Sequence, residues 1–269
     1  MHDKSNSPTV DDRYTVPALQ RGLQLLMQFN RNERELSGAE LSRRLSLPRA
    51  SVFRMLCTLE QGGFVERVGD SGFYKLGLSV LRLGFELLAS MELTEHGRPI
   101  LEELRNRCGY SAHLLVRDGS EAVFVEKAAG TQSRFHSIQV GARLPAHATV
   151  VGRLLLQGLP RGALRVLYPE DPLPTYTPRT PTTLDKLIEL IEQHKRDGYA
   201  VSQSGFETGI STIAAPVFND HSNVAAVLSI TVPSPAVQHQ ELDGLIQQVR
   251  EAAIQLTQRI SHLTSQGKP

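Results

Sequence analysis

The chain has 269 residues, 40% of them hydrophobic and 21% charged, with a formal net charge of +1. That fits about two globular domains and excludes a disordered or uniformly basic protein. No apolar run has the roughly 18 residues that a membrane-spanning helix needs, and the two cysteines, Cys57 and Cys108, lack ligand-spaced neighbours, as in a reducing cytoplasm.

Residues 1–14 are polar and acidic, without a signal-peptide pattern, and are expected to form a disordered tail. Pro17 opens a first helix, expected to run to residue 30 with Leu19, Leu23 and Leu26 on one face. At Ser37 a second helix begins. Ser37 and Glu40 have the spacing of a capping box, and Leu36 and Leu41 that of a hydrophobic staple. This helix is expected to reach Leu45, where Ser46-Leu47-Pro48 breaks it and Pro48 takes the first position of a third. In the third helix Val52, Met55, Leu56 and Leu59 form a complete apolar face, and Gly62-Gly63 ends it. Its other face presents Arg49, Ala50, Ser51, Phe53 and Arg54.

Between residues 41 and 59 stand Arg43, Arg44, Arg49 and Arg54, with no acid among them. A basic second helix in a helix-turn-helix pair is what phosphate attraction and major-groove docking require. Arginine suits bidentate contact with guanine, serine either base type, and a small apolar or aromatic group the thymine methyl. An ordinary helical hairpin with solvated arginines has the same pattern, but the segment after the third helix counts against it. Strands over 64–68 and 73–76 flank Gly69-Asp70-Ser71-Gly72 and form a wing, from which Arg67 and Lys75 reach the adjacent backbone or minor groove. The Gly-Asp-Ser-Gly run also matches the setting of a trypsin-like nucleophile. Such a site needs a base upstream, where His2 is the sole histidine, so the match is accidental.

Residues 15–77 thus read as a winged helix-turn-helix domain. Over 78–92 lies a helix with Leu78, Leu81, Leu83, Phe85, Leu87 and Leu88, too apolar to be a solvated linker. It is expected to pair with a second chain or to pack on its own second domain. From residue 93 to 266 the pattern is mixed α and β. Helices are expected over 93–108, with Ile100, Leu101 and Leu104 inward, and over 149–159, 184–196 and 240–263. Strands are expected over 111–117, 122–127, 133–140, 199–202, 211–218 and 224–231, the last nearly all apolar and therefore central. The five prolines of 169–181 make that interval a loop. A sheet of about five or six strands with helices on one side is the expected core.

These segments together resemble the IclR-type family of bacterial transcriptional regulators. The matching residues are Val16-Pro17-Ala18-Leu19-Gln20-Arg21-Gly22-Leu23, Leu47-Pro48-Arg49-Ala50-Ser51-Val52-Phe53-Arg54-Met55-Leu56, Gly63-Phe64-Val65 and Tyr74-Lys75-Leu76-Gly77. Further along they are Leu144-Pro145-Ala146-His147-Ala148-Thr149-Val150-Val151-Gly152, Gly198-Tyr199-Ala200 and Gly209-Ile210-Ser211-Thr212-Ile213-Ala214-Ala215-Pro216-Val217-Phe218. The resemblance implies an α+β chain with an N-terminal winged helix, a dimerising linker helix and a C-terminal GAF-like effector-binding domain. It implies a homodimer or dimer of dimers on a palindromic operator, with recognition helices roughly 34 Å apart. Such regulators repress or activate catabolic operons in response to a small organic or aromatic acid.

By motif position, the resemblance places the effector against His147, Thr149, Val150 and Val151 and against Ser202, Thr212, Ser229 and Thr231 of the sheet. The N–H groups of Val150 and Val151 open a helix and suit a carboxylate. Many relatives carry Asp, Glu and Cys where this chain has Ser202, Gly205 and Thr212, and a small residue in place of Val150. Loss of both acids makes the floor neutral, suited to a molecule held by hydroxyls. His113, His136 and His147 lie on separate segments without metal-ligand spacing, so no metal and no cofactor is expected. Arg134 and Arg143 either pair with an effector carboxylate or are solvated charges. Tyr168, Tyr176 and the proline loop form a lid or only a connection. The competing reading, a ligand-converting enzyme fused to a DNA-binding head, finds no nucleophile elbow, P-loop, dinucleotide fingerprint or metal motif.

Overall fold

The computed structural model describes residues 14–30, 32–130, 139–203, 206, 209–233 and 239–266. The expected tail therefore lies outside the described residues except for Tyr14. So do Arg134, His136, Gly205 and most of the strand expected over 133–140. The chain divides into two compact units, Met1–Leu88 and Ala89–Pro269. No helix among the described residues is long and apolar enough to cross a membrane.

The first unit holds α1 (Pro17–Leu26), β1 (Leu36–Ser37), α2 (Gly38–Leu45), α3 (Arg49–Gln61), β2 (Val65–Val68) and β3 (Phe73–Leu76), and most of α4 (Leu78–Ser90). Ser37 Oγ accepts from the Glu40 N–H at 3.2 Å and starts α2 as expected. Two Schellman-type ends set the turn geometry. After α2, Leu47 N–H reaches Ser42 O at 3.0 Å with Ser46 left-handed at φ 54°. After α3, Phe64 N–H reaches Leu59 O at 2.8 Å with Gly63 at φ +70°. Pro48 precedes α3 as its N-cap, one residue outside the first-turn position expected for it.

The core of this unit is Leu25, Phe29, Leu36, Leu41, Val52, Leu56, Val65 and Tyr74, with Met55 and Leu59 partly buried beside it. α1 ends at Leu26, short of residue 30, and buries Leu25, while Leu19 and Leu23 are exposed. Leu25 shares its face with Phe29 beyond the helix end, and that pair wins the core. β2 and β3 form the wing in the register Val65↔Leu76 and Val68↔Phe73. β1 adds a third, unforeseen strand through Leu36↔Tyr74, too short to show a period of its own.

The start of α4 is latched to the end of α3. Gly77 N–H donates to Phe64 O at 2.9 Å, Ser79 N–H to Gly63 O at 3.1 Å and Ser79 Oγ to Gly62 O at 2.8 Å.

The second unit begins with α5 (Glu92–Cys108), β4 (Ser111–Asp118) and β5 (Glu121–Ala128). After these come β6 (Arg143–Pro145), α6 (Val150–Leu155), α7 (Arg161–Leu167) and α8 (Leu184–Asp197). β7 (Ala200–Gln203), β8 (Ile210–Phe218), β9 (Val224–Pro233) and α9 (His239–Gln266) complete it. The strands form one antiparallel sheet in the order β6-β5-β4-β9-β8-β7, with β9 in its interior. Helices lie on both faces rather than one. Gly97 of α5 meets Leu114 of β4 and Leu256 of α9 on one face. On the other, Val150, Val151, Leu154 and Leu155 of α6 pack against Leu115, Phe124, Ala214 and Val227. Leu114 and Leu115 point to opposite faces because successive residues of a strand alternate. α6 falls inside the helix expected over 149–159 but lasts only six residues. Gly158 at φ +81° and Pro160 separate it from α7, so the helix expected over 149–159 is cut short.

A Cβ on Gly77 would stand 2.2 Å from Gly63 O, a backbone atom that cannot move without breaking the α3 cap. Gly77→Ala should lower stability by about 1–3 kcal/mol, the usual cost of overpacking, seen as a lower melting temperature. An unchanged melting temperature would show that the latch yields freely.

Candidate functional site

On α3 the side chains of Arg49, Ala50, Phe53 and Arg54 are exposed and Ser51 is half-buried. Phe53 is 55% exposed, a large aromatic that the core leaves to solvent. Among the described residues Arg49 and Arg54 have no ion-pair partner. Arg43 and Arg44 differ. Glu40 accepts from Arg43 at 2.6 and 3.0 Å and from Arg44 Nε at 2.6 Å. Arg44 also donates to both carboxylate oxygens of Glu33, at 2.5 and 2.9 Å. These guanidiniums hold Glu33 and Glu40 near pKa 2, well below an ordinary glutamate. The acid-free interval of residues 41–59 stops one residue short of Glu40, so its apparent charge overstates the field of α2. Two arginines and two glutamates cancel there, which leaves Arg49 and Arg54 as the uncompensated cations of this face.

On the wing, Arg67 lies over the Tyr74 ring at 5.3 Å and 3.7 Å from Glu60, and Lys75 is 3.1 Å from Glu66. Exposed pairs of this kind are weak, so a phosphate can displace them. The Arg44 pairs, with the arginine side chain only 24% exposed, are harder to break.

In the second unit the strand register sets the polar floor. Ser202 pairs with Thr212, Thr212 with Thr231, and Thr231 with Ser111, one row across β7, β8, β9 and β4. The next row holds Ala200, Ala214, Ser229 and His113. Both rows share the face covered by α6 farther along, where Leu115 and Val227 lie. The structure thus brings Ser202, Thr212, Ser229 and Thr231 together, and adds Ser111 and His113.

The loop before α6 is placed differently. Thr149 caps α6, its Oγ1 accepting from Gly152 N–H and donating to Pro145 O, both at 3.2 Å, so its hydroxyl is committed. Val150 and Val151 are buried in the core cluster through their side chains. His147 is buried, with Nε2 2.9 Å from Pro174 O, which sets that nitrogen as the donor. Its ring meets Tyr168 and Tyr176 at 5.6 and 5.8 Å, and Tyr176 meets Phe206 at 5.3 Å. An aromatic wall therefore joins the proline loop to this unit. Arg143 is tied to Asp118 and Glu121.

Arg153 of α6 is buried, donating to His147 O and to His194 Nε2, each at 3.2 Å. Burial pulls its pKa down to about 10, and burial with the Arg153 charge pulls His194 down to about 4. Among the described residues no group of three His, Cys, Asp or Glu side chains can hold a metal ion.

A winged helix followed by a domain with a polar sheet face defines a DNA-binding transcriptional regulator. The model of the IclR helix-turn-helix domain matches residues 18–69, and that of the bacterial transcriptional regulator IclR C-terminal domain matches 85–258. The chain belongs to the IclR family of transcriptional regulators, a family of regulators and not of enzymes. It is 29% identical over 247 residues to the HTH-type transcriptional regulator XynR of Escherichia coli (strain K12), covering 92% of this chain and 98% of XynR. The HTH-type transcriptional repressor AllR of Klebsiella pneumoniae is 28% identical over 236 residues, covering 88% of this chain and 87% of AllR. An IclR homolog from Microbacterium hydrocarbonoxydans, solved in complex with 4-hydroxybenzoate, superposes with a TM-score of 0.78 at 25% identity, covering 90% of this chain and 98% of that one.

The carboxylates of Glu33 and Glu40 titrate near 2 when folded and near 4.5 otherwise. Their stabilisation is present above pH 4.5 and is lost as pH falls toward 2. Glu40→Gln should therefore reduce the drop in melting temperature across that range, most clearly at low salt. An identical acid profile in the variant would show the pairs to be energetically silent.

Proposed function

We propose that the chain is a cytoplasmic repressor of a catabolic operon, released from or fixed on a palindromic operator by a small carboxylic or aromatic acid. The observation that carries the effector half of this reading is the row Ser202, Thr212, Thr231 on one sheet face with Ser229 beside it. A neutral floor of hydroxyls holds a polar molecule by hydrogen bonds without imposing a charge. Aromatic side chains at His147, Tyr168, Tyr176 and Phe206 suit a flat ring. The Microbacterium homolog binds 4-hydroxybenzoate, which supports the same class of ligand here. The name of AllR supports repression.

Two N–H groups, those of Val150 and Val151, remain for a carboxylate at the start of α6. A six-residue helix adds little macrodipole, so the sheet hydroxyls bear most of the recognition. On DNA, Arg49 and Arg54 contact guanine or phosphate, Ala50, Ser51 and Phe53 approach base edges, and Arg43, Arg67 and Lys75 contact the backbone. Arg44 serves chiefly as the strut between Glu33 and Glu40. On α4 the exposed Leu78, Leu81 and Phe85 fall on one face at i, i+3 and i+7, with Leu83 and Leu87 also exposed. Covering this face with the same helix of a second copy makes the homodimer, whose pairing into dimers of dimers occurs on longer operators. Effector binding shifts the population between two dimer arrangements, and a coupling of about 1–3 kcal/mol changes operator affinity roughly 5- to 150-fold.

The test is a footprint on the DNA upstream of the chain's own gene, with and without 4-hydroxybenzoate. Arg54→Ala should abolish specific protection while leaving effector affinity unchanged, and survival of the footprint would remove Arg54 from the reading face. Ser202→Ala and Thr212→Val should each weaken effector binding roughly 3- to 10-fold, the worth of one hydrogen bond, with DNA affinity retained. Unaltered effector affinity in both would move the site off the sheet face.

A further inference from the structure

His113 stands on β4 between the hydroxyl row and the apolar row beneath α6, next to Ser229 across the β4–β9 pair. It is 2% exposed, and its Nδ1 is buried with no hydrogen-bond partner among the described residues. Buried polar atoms without partners are rare and costly in native proteins, and they mark places where a ligand or water completes the structure. The ring is edge-on to Phe124, with centroids 5.4 Å apart and an interplanar angle of 84°. Apolar Leu115 and Val227 lie in the following row. One polar atom is thus set at the boundary between an apolar bed and a hydroxyl-lined one.

Burial first, and the nearby Lys127 charge second, hold the His113 pKa down to about 3, so the imidazole is neutral at physiological pH. A neutral imidazole has one donor and one acceptor nitrogen and offers no charge to a carboxylate. It pairs well with a hydroxyl, in either sense.

Resting on the reading of this sheet face as the effector site, we propose that His113 recognises the ring hydroxyl of a hydroxylated aromatic carboxylate. The ring spans the two rows, with its hydroxyl at His113 and its carboxylate on the serine and threonine hydroxyls of the neighbouring row. His113 is then the residue that separates hydroxylated from unhydroxylated acids. A site built to hydrogen-bond a hydroxyl rejects the analogue lacking it, because its own buried polar atom is left unpaired.

The experiment is calorimetric titration of the full chain with 4-hydroxybenzoate and with benzoate, for wild type, His113→Leu and His113→Asn. The wild type should prefer 4-hydroxybenzoate by at least about 10-fold, His113→Leu should bind the two acids about equally, and His113→Asn should recover part of the preference. An undiminished preference in His113→Leu overturns the proposal. Equal binding of both acids by the wild type also overturns it but leaves the sheet face as an aromatic-acid site. Binding of neither overturns the proposal and the ligand class together. Should the variants fail to fold, nitrogen-15 NMR of wild-type histidine rings decides. The His113 resonances should move on adding 4-hydroxybenzoate and stay in place with benzoate, and no movement with either refutes the assignment.

Discussion

The register of β8, β9 and β4 is the constraint on which the second unit depends. Side chains alternate between faces, so a one-residue slip would send every buried side chain to the wrong side. With Thr212 opposite Thr231 and Ile213 opposite Ile230, one face receives hydroxyls while the other receives large aliphatic groups for α5 and α9. The aliphatic face is closed by two long helices. The hydroxyl face is covered by α6, a helix of six residues, over its apolar rows Leu115, Ala214 and Val227. Burying Ser111, His113, Ser229 and Thr231 costs free energy that an all-apolar floor would not. Ser111 recovers its share by accepting from Gly130 N–H at 3.0 Å, and of these four residues only His113 has a buried side-chain atom without a partner among the described residues.

In the first unit the corresponding constraint is charge compensation. The turn before α2 brings Glu33 to Arg44, and the first turn of α2 brings Glu40 to both Arg43 and Arg44. α2 is thereby tied to the chain ahead of it, and its field is nearly neutral. The next helix, α3, keeps Arg49 and Arg54 unpaired among the described residues. A partition of this kind concentrates the phosphate-attracting potential on α3, with no need for a basic chain as a whole, consistent with a net charge of +1.

Much of this is legible in residue order because the signals are strong and local. The Ser37 cap, the Val52–Leu59 stripe, the glycine pair after α3 and the long apolar strand β9 each have one physical interpretation. The features that escape have no such signal. β1 has two residues and β6 three, too few for a period. α6 ends at Leu155, ahead of the breakers Gly158 and Pro160, because the apolar run Leu154-Leu155-Leu156 gives no sign of where within it the helix stops. Leu19 and Leu23 have the spacing of a buried face, but Leu25 and Phe29 are better placed for the core. The cancellation of Arg44 by Glu33 spans 11 positions and needs the fold to bring them together. His113 looks inert in the sequence for want of metal spacing, although its position opposite Ser229 decides its chemistry.

The latch between α3 and α4 joins the reading face to the proposed dimer contact. Ser79 Oγ and the N–H groups of Gly77 and Ser79 bind the three carbonyls of Gly62, Gly63 and Phe64. Because Gly77 approaches the Gly63 carbonyl so closely, the first turn of α4 cannot rotate without disturbing the cap of α3. In the proposed homodimer, a change in how two α4 helices pair is therefore delivered to α3 as a rigid reorientation. Half-site spacing on DNA is fixed by the helical repeat, so a small rotation at the α4 contact is enough to take one recognition helix out of register. On the proposed mechanism, a modest effector binding energy would control operator occupancy through that pairing alone, with the core of the first unit kept intact.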